Sequence, residues 1–161
     1  MPFAVPQLYN RCMTRGQAFL VVGHKQWGKS RTLKSLTNES HQLRSISIAD
    51  RHVFIRRMSN DDRPSDFRNF VQELRPATRE HAIMAFCPVF DKDADEILRD
   101  LKNRYDIYAF VLRHSFDGER QISTVEIDAL QEYATVEVFD RKADCRERAG
   151  ALRKFIERHI R

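Results

Sequence analysis

Residues Gly23-His24-Lys25-Gln26-Trp27-Gly28-Lys29-Ser30 satisfy the spacing G-x-x-x-x-G-K-[ST] at every fixed position. At average residue usage a chance match in a chain this long is on the order of 0.5%. The chemistry these residues can do is the binding of a polyphosphate. Gly23 and Gly28 let the backbone curl around phosphate oxygens, and successive N–H groups at a helix start present partial positive charge. Lys29 sets an ammonium against the terminal phosphates, and Ser30 offers its hydroxyl to Mg²⁺. His24, Lys25, Gln26, Trp27 and Arg31 complete the expected nucleotide-binding segment. The loop is bulkier and more cationic than one built of small residues. Lys25 is either a further phosphate contact or a solvated lysine, and Trp27 either covers the ligand or, more ordinarily, anchors the loop to a neighbouring helix.

Such a loop works only between a buried strand and a helix, and the flanking sequence supplies both. Ala18 to Val22 is an apolar run read as a strand, and Lys29 to about Thr37 reads as a helix. Leu43–Ala49 and His52–Met58 are short strands separated only by Asp50-Arg51, which forces an antiparallel hairpin. Helix and strand then alternate: a helix from Pro64 to about Leu74, an apolar strand Ala82–Cys87, a helix Asp93–Arg104 and a strand Ile107–Leu112. Ser123-Thr-Val-Glu126 is a capping box opening a helix to Tyr133, Thr135–Phe139 is the last strand, and a helix from about Ala143 to Ile160 closes the chain. Its buried stripe is expected to be Leu152, Phe155, Ile156 and His159/Ile160. The expected fold is a three-layer α/β/α domain over residues 1–161, with a mostly parallel sheet of about six strands and one antiparallel hairpin.

This order resembles the Ras-like small GTPase domain of the P-loop NTPase superfamily, over about residues 18–160. Ala82 to Asp91 is similar to that family's fourth strand and following loop. Val111 to Ser123 is similar to its strand, base-reading loop and capped helix, and Phe139-Asp-Arg-Lys142 to its second base-contacting loop. The resemblance implies binding of GTP or GDP with Mg²⁺, ATP being the other candidate, with Asp117 reading the guanine edge and Lys142 in the last nucleotide-contacting loop. Departures fall on the functional loops. The family's N-K-x-D corresponds to His114-Ser115-Phe116-Asp117, where only the carboxylate remains, and a plain turn residue before Gly118 is an equal reading of it. Its D-x-x-G falls near Arg57-Met-Ser-Asn60, so that Asp61 or Asp62 would have to stand in as the metal-organising carboxylate. The long switch segment is reduced to about Asn38–Gln42. Weak or partner-dependent hydrolysis, and a role exercised through a protein partner, are the implied consequences.

Two other readings stand beside this one. A small P-loop kinase or ATPase could use Arg113 and Arg120, which bracket Ser115–Glu119, as a lid, although the hairpin favours the GTPase-like order. A pseudo-GTPase scaffold would keep the loop as a relic without turnover. Composition narrows the remaining classes. The chain has 161 residues with 42% hydrophobic and 32% charged residues, enough to bury one core. No run approaches the ~20 apolar residues of a membrane span, no leader or C-terminal cysteine box is recognisable, and a cytoplasmic protein without a membrane anchor is expected. Cys12, Cys87 and Cys145 lack metal or disulfide spacing, and the six histidines show no ligand pattern. The net charge of +5 arises from Arg141–Arg161, where eight Lys/Arg face three Asp/Glu, while residues 1–140 carry twenty of each. One basic helix whose cations complement its dipole does not mark a nucleic-acid binder.

Overall fold

The computed structural model describes residues 15–38, 44–89 and 91–161. Eleven elements alternate along them: β1 (Gly16–Val22), α1 (Lys29–Leu36), β2 (Ser45–Ile48), β3 (Arg51–Arg56), α2 (Pro64–Glu73), β4 (His81–Phe86), α3 (Lys92–Lys102), β5 (Tyr105–Leu112), α4 (Thr124–Gln131), β6 (Ala134–Phe139) and α5 (Cys145–His159). Cys12 and most of the expected switch segment fall outside the described residues.

The helix starts follow from local chemistry. Pro64 opens α2 with its fixed φ, and the Asp91 and Asp144 carboxylates accept from Ala94 N and Glu147 N at the starts of α3 and α5. Ser123 and Glu126 form the expected reciprocal capping box on α4.

The six strands form one sheet in the order β2-β3-β4-β1-β5-β6. Among these six strands β2 and β3 alone pair antiparallel. Every residue of β1 and β4 is buried, as continuous apolar strands covered on both faces must be. α1 packs with α5 and α2 with α3, placing helical layers on the sheet's two faces. The hairpin turns at Ala49-Asp50, one residue earlier than Asp50-Arg51, with both φ values positive at 49° and 60°. Ile48 pairs with Arg51 across it. That primed geometry matches the strand twist, and the alternation of side chains alone did not fix which two residues would adopt it.

After β1 the chain fills the β4 side of the sheet and only then the β5 side, so β1 stands where the winding reverses. Ligands of open α/β sheets bind in the crevice outside the strand ends at such a point. Val22 is in register with Phe86 of β4 and Val111 of β5, so the loops after all three strands leave the sheet at one level.

Candidate functional site

The loop after β1 is arched by two left-handed residues, Gln26 (φ 67°) and Gly28 (φ 86°), the latter directly preceding α1. Glycine is required at 28 on two counts. The positive φ disfavours a side chain, and a Cβ there would lie 2.0 Å from Cζ of Phe116. Lys29 folds back under the arch, its Nζ donating to the carbonyls of Gly23 (2.7 Å) and His24 (2.9 Å). Burial pushes the Lys29 ammonium below its ordinary value, opposed chiefly by the negative charge of Asp61 and then by Cys87 and Asp62. The first N–H groups of α1 have no partner within the helix and add positive potential at the same place.

Three contacts fix the outside of the arch. His24 Nε2 lies 2.6 Å from Glu126 Oε2 in the α4 capping box. Trp27 is 1% exposed and part of the core, with His24 against its ring edge-on. Arg148 of α5 donates to Trp27 O at 2.6 Å. The Trp27 side chain therefore anchors the loop, the more ordinary of its two expected readings, and the His24 side chain is held by α4. The Trp27 ring buries its apolar surface inside the protein, although its indole Nε1 finds no hydrogen-bond partner there.

On the open side lies a cleft of about 510 Å³ bordered by Lys25, Gln26, Gly28, Lys29, Ser30 and Arg31 from the loop and helix, with Arg57, Asp61 and Asp62 opposite and Phe116 at one end. Lys25, Ser30 and Arg31 are exposed there. The segment after β3 reaches this cleft even though β4 intervenes between β3 and β1. Asn60 bridges the gap, donating from Nδ2 to Cys87 O (3.1 Å) and accepting Cys87 N at Oδ1 (2.6 Å), so its amide imitates a strand partner at the end of β4. Ser59, 1% exposed, donates from its hydroxyl to Asp61, and Asp62 Oδ2 accepts from Ser59 N at 3.2 Å. Asp61 Oδ2 is buried with no hydrogen-bond partner, an unsatisfied acceptor beside an ammonium-lined cleft. Arg57 Nη2 reaches Thr37 Oγ1 at 3.0 Å.

The segment after β5 turns on itself. Asp117 Oδ1 accepts from the Ser115 hydroxyl and from Glu119 N (3.0 Å), and these bonds, the Ser115 one first, hold its carboxyl below the usual range. The Lys142 side chain lies against Gly118, where a Cβ would come within 2.8 Å of its Nζ. Asp117 and Lys142 are thus brought to the same loop, at the flank of the cleft and not among its lining residues. Arg113, one of the two expected lid residues, pairs with Asp140 at 3.2 Å, while Arg120 is exposed.

Sequence reasoning missed Phe116, Asn60 and Arg148. Arg148 carried a readable signal, because it stands four residues before Leu152 on the spacing of the buried stripe. A phenylalanine in a polar loop was a weaker one. Asn60 had none, since its role depends on β4 lying beside β3.

Among the described residues no three His, Cys, Asp or Glu side chains cluster as a metal site. Mg²⁺ would therefore depend on ligand oxygens for most of its shell, which is its usual habit with phosphates. The exposed Ser30 hydroxyl and the unsatisfied Asp61 oxygen, both lining the cleft, suit it as the protein's share.

The strand order, the loop and the helix after it define the P-loop NTPase-like α/β fold. No protein-family model matches the chain, and no curated protein matches it. The chain is similar to solved structures. A crystal structure of the protein APE1195 superposes with a TM-score of 0.55 at 13% identity, covering 94% of this chain and all (100%) of that one. A de novo designed PLOOP2X3_50 fold protein, solved by NMR, gives 0.53 at 11% identity, covering 89% of this chain and 96% of the design. At these identities the likeness is one of fold. No helix among the described residues is long and apolar enough to cross a membrane.

Proposed function

We propose that this chain is a single nucleotide-binding domain that takes a nucleoside triphosphate, GTP in the first instance, with Mg²⁺, hydrolyses it slowly, and acts through a protein partner. The observation that carries the reading is the arched loop, whose carbonyls are tied inward by Lys29 while Gly28, Ser30 and Arg31 border an open cationic cleft. Phosphates entering the cleft would meet the α1 N–H groups and exchange the Lys29 carbonyl contacts for charge-assisted bonds. Ser30 and Asp61 would hold Mg²⁺, which supplies charge neutralisation between phosphate oxygens. Asp117 supports guanine through its second carboxylate oxygen, because Oδ1 is engaged within its own turn.

Slow turnover follows from what stands beside the cleft. Arg57 and Asn60 occupy the positions where the GTPase resemblance expects a metal-organising carboxylate and a phosphate-sensing glycine, and Asn60 is bonded to Cys87. On this segment Asp61 and Asp62 are then the carboxylates left at the cleft to orient water. An isolated Ras-type site turns over at about 10⁻⁴ to 10⁻³ s⁻¹, and this chain should not exceed that. A small phosphotransferase is the second reading, favoured by the same unsatisfied Asp61 oxygen, which could accept the proton of an acceptor hydroxyl. Chromatography of the nucleotide that copurifies, followed by phosphate release with Mg²⁺-GTP and Mg²⁺-ATP, tests both. Bound guanine nucleotide with slow release supports the proposal. Release above about 1 s⁻¹, in the ordinary enzyme range, would overturn it.

A further inference from the structure

Arg148 is 1% exposed, and among the described residues no carboxylate pairs with it. A buried guanidinium with only neutral partners is costly, and a packed apolar residue of the same length would be the cheaper way to join α5 to the sheet. Its partners lie at the two loops that flank the cleft. Nη1 donates to Trp27 O at 2.6 Å, Nη2 donates to His114 O at 2.9 Å, and the guanidinium carbon sits 4.7 Å from the centre of the Phe116 ring.

The first of these bonds controls the direction of a binding group. A trans peptide carries its C=O and N–H on opposite edges, so a Trp27 carbonyl held by Arg148 turns the Gly28 N–H away from α5. Gly28 borders the cleft. Turning the Trp27–Gly28 peptide plane changes the Trp27 ψ and the Gly28 φ, and glycine adopts either sign of φ at small cost, so that side of the peptide offers little local restraint. The second and third contacts hold Phe116 against Gly28 and close the end of the cleft.

We infer that Arg148 is a positioning residue for the phosphate loop: its guanidinium fork fixes the Trp27–Gly28 peptide so that the Gly28 N–H is presented to a phosphate, and locks the segment after β5 to the same frame. This inference rests on the nucleotide reading above and adds to it a determinant in α5, outside the motif. The two carbonyls belong to different loops and are met by different nitrogens, Nη1 and Nη2, of one rigid plane, a span that the single nitrogen of lysine does not reproduce, so lysine should not substitute.

Calorimetric titration of the full chain with inorganic tripolyphosphate and Mg²⁺, and separately with Mg²⁺-GTP, tests it. Arg148→Lys should weaken both ligands about tenfold, the lower end of what partners that orient ligating groups contribute elsewhere. Leu152→Ala, a buried α5 change away from the loop, should lower stability and leave both affinities unchanged in the folded protein. Millimolar guanidinium should restore part of the lost affinity to Arg148→Ala and do nothing for Leu152→Ala. If Arg148→Ala does not fold, the Arg148→Lys titration carries the test alone. Unchanged binding by Arg148→Lys, or equal losses in Arg148→Lys and Leu152→Ala, would overturn the positioning role while leaving the nucleotide reading intact. A wild-type chain that binds neither tripolyphosphate nor GTP would overturn both.

Discussion

The loops after β1 and β5 leave the sheet at the same level, and they spend their hydrogen-bonding groups in opposite ways. In the loop of residues 23–30 the carbonyls are consumed internally, by Lys29 at Gly23 and His24 and by Arg148 at Trp27. Of its N–H groups, those of Gly23 and Trp27 are also engaged, with Phe86 O and His24 O, which leaves the N–H groups at the start of α1 for a ligand. In the segment 114–122 the side-chain acceptor is consumed, because Asp117 Oδ1 is shared between Ser115 and Glu119 N. On the proposed function the first loop would take the anion, and the second would offer a base the carboxylate oxygen that Asp117 keeps free of its own turn. Binding energy should therefore come mainly from phosphate, with base discrimination a smaller addition.

The largest break in this contrast should come from Lys29→Ala, which removes the ammonium that both arches the loop and meets the ligand. Charge-assisted bonds contribute about 1.5–3 kcal/mol each, so polyphosphate affinity should fall about a hundredfold by calorimetry. Gly28→Ala acts on the same loop through its backbone. Left-handed φ at a non-glycine costs about 1–2 kcal/mol, which urea denaturation should show, and Phe116→Ala in the same chain should recover only the part due to the 2.0 Å clash. A full recovery would mean that the positive φ costs nothing.

On the other loop, Asp117→Asn should weaken GTP by about tenfold or less, the worth of one bond to a charged group, and leave tripolyphosphate untouched. Loss of both ligands alike would show that the two loops are not separable. The smallest expected effect is on pH. Burial holds the folded-state Lys29 pKa below its unfolded value of 10.5, so between the two the unfolded chain binds more protons. Stability should then rise slightly as pH approaches 10.5, while polyphosphate affinity falls over the same window because the ammonium is being lost. Opposite slopes of denaturation midpoint and binding constant in one pH series would identify Lys29, and parallel slopes would not.

The fold was legible because its signals are local. Apolar runs at β1, β4 and β5, the Ser123–Glu126 box and the phosphate-loop spacing each report on a few adjacent residues, and each stands where the sequence places it. What was not legible depends on residues far apart in the chain. The insertion of β4 between β3 and β1 made Asn60 a bridge to Cys87, and no property of residues 57–62 announces that neighbour. Arg148 contacts Trp27 across 121 residues of sequence. For Trp27 and His24 the motif constrains the backbone and leaves side-chain direction to α4 and α5, so the sequence left the Trp27 alternatives open and did not announce the His24–Glu126 pair.

The central claim is that the loop after β1, and not the one after β5, carries binding, and comparing tripolyphosphate with GTP on the wild-type chain tests it most directly. Titrated side by side with Mg²⁺, tripolyphosphate should bind within about a hundredfold of GTP, since the nucleoside adds about 1–3 kcal/mol of base contact to a site built for phosphate. GTP binding with no measurable affinity for tripolyphosphate would place the recognition in the second loop and contradict the account.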